Sequence, residues 1–243
     1  MVMMVAGGFS PWGRIFSMNT SWLFDKAETS LYRFKVFLMV LKGISLKFMD
    51  AQSYTLKIKT AVEGADHPKS PQPGLYHPAS VMALFMLSKE PELLFIQKTD
   101  SEGYPWRNQM AFPGGHRDEK DPGALETALR EVKEELDICP ENVEVIGSLG
   151  HFQTINNRDI QAFAGIWNRQ DKVRFDPAEI SRVFYIPLGQ LKDTHRKKKY
   201  HLTRPGIMDL TYPYENVVIW GVTAKILFHL MEILIRTGED GFF

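Results

Sequence analysis

Phe112-Pro113-Gly114-Gly115, then Asp121-Pro122, then Arg130-Glu131-Val132-Lys133-Glu134-Glu135 is the stretch that decides how the rest of this chain is read. Asp121 followed by Pro122 predicts a helix opening, because an Asp side chain accepts a free N–H bond and proline suits the first turn. Leu125, Ala128, Leu129, Val132 and Leu136 recur at helical period on one stripe, so a helix from about Pro122 to Leu136 lays that stripe on a sheet. Glu131, Glu134 and Glu135, three and four residues apart, project their carboxylates from another face. Arg130 lies one turn after Glu126 and is expected to hold it as an ion pair that orients the helix.

Like charges at this spacing repel by about 0.2 to 0.5 kcal/mol per pair, and by more if partly desolvated, so a positive group is expected beside them. Oxygen-only ligands favour hard divalent cations, and Mg²⁺ prefers a few carboxylates completed by water and substrate phosphate. The pattern therefore implies a phosphate-bearing substrate. An isolated Glu-Glu pair would read as solvated surface. Arg-Glu-apolar-any-Glu-Glu, however, arises by chance in roughly one chain of this size in a thousand. Here it also follows Pro-Gly-Gly, where glycine lets backbone approach a ligand closely.

Working outward, residues 79–87 and 92–98 are short apolar runs around Lys89-Glu90-Pro91, which predicts two strands joined by a turn. Further strands are expected at 159–167, 182–186 and 216–220, and a second helix from about Val222 to Arg236 with Gly238 as its stop. Strands interrupted by two helices argue for an α/β or α+β sandwich. Pro68, Pro71, Pro73 and Pro78 mark an extended linker, so the ordered domain is expected over residues 71–243. Residues 1–70, Met-rich and without a clean period, read as an N-terminal extension of unknown role.

The 243 residues carry 29 basic and 29 acidic side chains, so no global field attracts a polyanion and a nucleic-acid duplex is a poor partner. Any phosphate recognition has to be local. The apolar stretch 36–41 is bracketed by lysines and far shorter than the roughly 18 residues of a membrane span. The first residues lack the basic flank of a secretory signal. Cys139 is the single cysteine, which excludes an intrachain disulfide and a thiolate zinc cluster and fits a reducing, cytoplasmic location.

Gly115 through Ile138 resembles the signature of the Nudix hydrolases: Gly, five residues, Glu, seven residues, then Arg-Glu-apolar-any-Glu-Glu-any-Gly-apolar. The glycine-to-arginine spacing is one residue longer here, with Asp121 and Pro122 where the first Glu is expected, and Asp137 stands for the later glycine. The longer loop with Asp resembles the coenzyme A pyrophosphohydrolase subgroup, although Pro122 replaces the usual following Glu. Val183-Phe184-Tyr185-Ile186-Pro187-Leu188 and Ile219-Trp220-Gly221-Val222-Thr223-Ala224 are similar to later segments of that subgroup, whereas Pro105-Trp106-Arg107-Asn108-Gln109 departs from it.

The resemblance implies an α/β/α sandwich with a mixed central sheet, the signature forming loop, helix and loop. It implies Mg²⁺ or Mn²⁺ held by Glu131, Glu134, Glu135 and the Gly115 carbonyl, with Glu134 and Arg130 in the catalytic machinery. Glu179, before the 182–186 strand, is an outside candidate for general base. The implied reaction is hydrolysis of a nucleoside diphosphate linked to another group, foremost coenzyme A or an acyl-CoA. ADP-ribose, NADH, a dinucleoside polyphosphate, or a non-catalytic nucleotide-binding regulator are the alternatives. A small nucleotide is thus the expected partner, with a homodimer left open.

Tyr104, Trp106, Phe152 and Trp167 could stack on a base but read more simply as core. His195-Arg196-Lys197-Lys198-Lys199 could meet a distal phosphate and otherwise reads as a solvated basic loop. His151, His195, His201 and His229 show no metal-ligand spacing.

Overall fold

The structure, a computed structural model, describes residues 51–101 and 107–236. Strands β1 (His77–Met86) and β2 (Glu92–Lys98) follow a helix, α1, over residues 51–63. Next come β3 (Met110–Ala111), β4 (Gly114–His116), α2 (Ala124–Leu136), β5 (Val143–Gln153) and β6 (Arg158–Trp167). The chain continues through β7 (Ile180–Pro187), α3 (Leu188–Lys197), β8 (Tyr212–Tyr214), β9 (Val217–Ile219) and α4 (Gly221–Arg236).

Seven strands form one mixed sheet, with β1 parallel to β6 and antiparallel to β2 and β4. Period-two alternation assigns the two faces. Leu93 and Phe95 of β2, with Ala83 and Phe85 of β1, belong to one core that includes α1 and α4. Leu94 and Ile96, with Met82, Leu84 and Met86, belong to the other, under Ala128, Val132 and Leu136 of α2. Both faces are covered, which is why β1 and β2 read as near-continuous apolar runs rather than alternating ones. The result is the expected α/β/α layering.

Several boundaries differ from the sequence reading. Residues 51–63 bury Ile58, Ala61 and Val62 in the first core, so packed structure begins well before residue 71. The period is faint there because only three side chains of that helix reach full burial. Besides α1 and the short strands β3, β4 and β8, two longer elements are not expected from the sequence, β5 and α3. In β5 the alternation is broken by two register shifts near Gly147 and Gly150. In α3 the basic residues of the last turn suit the negative end of the helix but disguise it as a charged loop. Among the described residues, no helix is long and apolar enough to cross a membrane. Trp106, Tyr104 and the Gly238 stop lie outside the described residues.

The linker and α4 meet through a histidine pair. His67 donates from Nε2 to the Val62 carbonyl at 2.7 Å, and its Nδ1 lies 2.9 Å from Nε2 of His229. Burial above all, then the neighbouring His67, Arg236 and Arg204, pushes His229 down to about 4 from its ordinary 6.5. The unfolded chain therefore takes up this proton below about pH 6.5, whereas the folded chain resists until about pH 4, so stability falls as pH drops through that window. Because the ring is only partly screened from water, the expected loss is about 1–2 kcal/mol, well short of the full linkage value. Chemical denaturation at pH 7 and pH 4.5 should show His229→Gln losing less stability than the unsubstituted chain; equal losses contradict this.

Candidate active site

The signature segment is built against β1. Strand β4 pairs there with Ser80 opposite Gly115 and Val81 opposite Gly114, and Met82 N–H donates to the Pro113 carbonyl at 2.9 Å. Gly114 has a φ of +154°, and a Cβ on it would stand 2.2 Å from the Ser80 carbonyl oxygen. Its N–H donates at 2.9 Å to Oε2 of Glu135. Lys98, at the end of β2, donates to the other oxygen of the same carboxylate. Glu135 is thus buried and clamped. Burial raises its pKa, with Lys98 and the Gly114 N–H opposing.

The helix begins later than expected. Gly123 is its N-cap, without a side-chain cap, and the Asp121 carboxylate turns inward instead. Asp121 accepts the Asp118 N–H and the Thr127 hydroxyl, both at 2.9 Å, and the Arg130 guanidinium at 3.0 Å. These partners, Arg130 first, hold its pKa far below the carboxylate range. Arg130 does not turn to Glu126. It donates to Asp121, to the His116 carbonyl at 2.9 Å, to Glu131 at 2.9 Å and to Glu134 at 2.7 Å. The fork geometry of guanidinium explains the choice: one rigid group can tie loop, carbonyl and helix together.

At the helix end, Asp137 adopts the left-handed conformation, φ 57° and ψ 28°, and its N–H donates to the Lys133 carbonyl at 2.9 Å. Its carboxylate is held by Lys133 and by Arg174 at 3.5 Å. Asp tolerates this geometry better than most side chains, and those partners offset the cost of lacking glycine.

The three glutamates are not equivalent. Glu131 and Glu135 line a cavity of about 580 Å³, together with Lys98, Gly115 and Glu179. Glu134 is largely exposed, turned toward Arg130, and absent from that lining. Among the described residues, no group of three carboxylate, imidazole or thiol side chains is gathered at ion-binding spacing. The donor set nevertheless fits a hard cation. A Cβ on Gly115 would stand 2.5 Å from the Glu131 carboxylate, so backbone and carboxylate approach as closely as glycine permits. Burial raises the pKa of Glu131, with Arg130 opposing, so a cation joining this carboxylate would further favour its charged form.

Glu179 is exposed on the turn before β7, and its carbonyl accepts the Thr99 N–H at 3.0 Å. Ile155, Met208, Trp220 and Val222 also line the cavity, as does Lys225. Sequence reading missed Lys98, Trp220 and Lys225 because each becomes a site residue only through strand pairing and helix docking. Of the other candidates, Phe152 and Trp167 are core, as expected. His195 is fully buried between the Tyr212 hydroxyl at 2.8 Å and Glu232 at 2.9 Å. Lys198 is held at Thr211. Residues 195–199 do not line this cavity: His195 is packed between β8 and α4, and residues 196–199 are exposed, as a solvated basic segment would be.

The family model of the NUDIX domain matches residues 76–205. The uncharacterized Nudix hydrolase NudL of Yersinia enterocolitica is 31% identical over 170 residues, 68% of this chain and 87% of the relative. NudL of Yersinia pestis is 31% identical over 63% of this chain and 78% of the relative. Among solved structures, a Caenorhabditis elegans Ap4A hydrolase complex aligns at TM-score 0.40 and 21% identity, covering 50% of this chain and 86% of that one. The Nudix domain of Shewanella oneidensis NrtR, complexed with ADP ribose, aligns at TM-score 0.38 and 18% identity, covering 51% and 82%. The extent of the NUDIX match and of the likeness to NudL shows that the chain belongs to the Nudix hydrolases, enzymes that cut the pyrophosphate bond of nucleotide derivatives.

Proposed function

We propose that the chain hydrolyses the diphosphate bond of coenzyme A or an acyl-CoA, giving 3′,5′-ADP and (acyl-)4′-phosphopantetheine, in the cytoplasm. The observation that carries this reading is a single cavity lined by acid groups and, besides them, by apolar side chains and the lysines Lys98 and Lys225. Such a cavity suits a diphosphate flanked by two unlike halves. The sequence likeness of the signature loop and of residues 183–188 and 219–224 to the coenzyme A subgroup points the same way.

Mg²⁺ or Mn²⁺ would be held by Glu131, Glu134, Glu135 and the Gly115 carbonyl. When bound, the ion supplies charge neutralisation for the diphosphate and a bound water of lowered pKa. The chain's own groups do the rest. Lys98 and the Gly114 N–H fix Glu135, and Arg130 ties the loop to the helix and holds Glu134. Water attacks phosphorus in line, the bridging P–O bond breaks, and Glu179 or a signature glutamate accepts the water proton.

A panel of coenzyme A, an acyl-CoA, ADP-ribose, NADH, diadenosine polyphosphates and nucleoside triphosphates with Mg²⁺ or Mn²⁺, assayed for phosphate products, tests this. Highest kcat/KM on the coenzyme A compounds is expected. Preference for ADP-ribose or a dinucleotide contradicts the substrate, and hydrolysis of none returns the chain to a binding role.

A further inference from the structure

The catalytic cavity adjoins a second one of about 610 Å³, and Gln153 and Lys225 line both. Lys225 projects from α4 and donates at 2.8 Å to the Gln153 carbonyl. Arg204 stands beside it, its guanidinium 6.0 Å from the Phe228 ring. Two carboxylates face this second cavity, Asp66 and Glu232. Glu232 is already engaged by Arg236 at 3.1 Å and by His195 at 2.9 Å. Among the described residues, neither Arg204 nor Lys225 is ion-paired within 4.0 Å. The field at this wall is positive: burial first, then Arg204, lowers the pKa of Lys225, and Arg204 and Arg236 help depress that of His229.

Lys225 is half-buried and Arg204 is exposed at the rim, and neither Asp66 nor Glu232 pairs with them, so an anion set between the two cations gains charge-assisted bonds from both. A phosphate monoester supplies several acceptor oxygens and matches a guanidinium fork next to an ammonium. We propose that the second cavity seats a phosphate monoester borne by the substrate away from the scissile diphosphate, gripped by Arg204 and Lys225. The assignment rests on the hydrolase reading and narrows it: it selects nucleotides whose adenosine half carries an additional phosphate, as coenzyme A does and ADP-ribose and NADH do not.

The test uses calorimetric binding of 3′,5′-ADP, 5′-AMP and inorganic phosphate to the full chain, with KM values for coenzyme A and dephospho-coenzyme A alongside. The assignment predicts that 3′,5′-ADP binds about tenfold or more tightly than AMP, because charge-assisted bonds are the strong ones. Arg204→Gln and Lys225→Gln should bring that ratio toward one, with Arg204→Lys keeping part of it, and thermal melts should show each variant folded. Equal binding of 3′,5′-ADP and AMP overturns the assignment, as does a ratio that survives both glutamine variants. Phosphate binding lost in Arg204→Gln while the two nucleotides bind alike also overturns it, because the seat then serves a free anion. If coenzyme A is not hydrolysed but the binding ratio holds and collapses in the variants, the seat stands and the coenzyme A reading falls. Hydrolysis of coenzyme A with a ratio of one has the opposite meaning.

Discussion

Glutamine in place of Glu134 or Glu135 is expected to lower turnover by about 10²- to 10⁴-fold, and the two variants should differ in everything except that loss. Glu134 is exposed and its one charged partner, Arg130, keeps three other acceptors. Glu134→Gln should therefore melt like the unsubstituted chain. Glu135 receives two donors, Lys98 and the Gly114 N–H, on its two oxygens. An amide offers only one acceptor oxygen, so its NH₂ must face a donor, and Glu135→Gln should also lose stability, about 1–3 kcal/mol. Steady-state kinetics with urea unfolding separates the two effects. Near-normal turnover in either variant removes the metal role assigned to that carboxylate.

Alanine at Gly114 should unmake the site from the other side. The added Cβ would meet the Ser80 carbonyl oxygen at 2.2 Å and the Val81 Cα at 2.6 Å, which are backbone atoms of the central strand and cannot step aside. Strand β4 must lift from β1, and the N–H that clamps Glu135 moves with it. The expected cost is about 2–4 kcal/mol of stability with loss of nearly all turnover. Gly115→Ala is the informative contrast. Its Cβ meets the flexible carboxyl end of Glu131 at 2.5 Å, so the fold survives while that carboxylate is displaced from the cavity. Unfolding midpoints should fall for Gly114→Ala alone, and activity should fall for both; a stable Gly114→Ala contradicts the packing account.

How much of this was legible in the sequence follows from which interactions are local. Val132, Ala128 and Leu136 declared the buried stripe of α2 because helical period needs no partner to be read. Strands β1 and β2 were legible for the opposite reason, since sandwiching between two cores makes them apolar throughout. Strand β5 was not, because its bulges shift the alternation midway. Asp121 illustrates a local rule overridden by tertiary structure. It has the chemistry of a helix cap, but Arg130 and the Asp118 N–H offer its carboxylate a charge-assisted set instead, and Gly123 takes the cap position. The same applies to Arg130, whose spacing suggested Glu126. Lys98, Lys225 and Arg204 come from three distant stretches and meet the site only once the sheet and α4 are assembled, so no spacing could have announced them.

The central claim is that the signature carboxylates hold a divalent cation. Electron paramagnetic resonance of free Mn²⁺, titrated with the full chain in the absence of nucleotide, measures that most directly. Saturable loss of the free-ion signal, abolished or weakened at least tenfold in Glu131→Gln and in Glu135→Gln while both remain folded, is the result predicted. Mn²⁺ binding of unchanged affinity in both variants, or none by the unsubstituted chain with or without substrate, would contradict it.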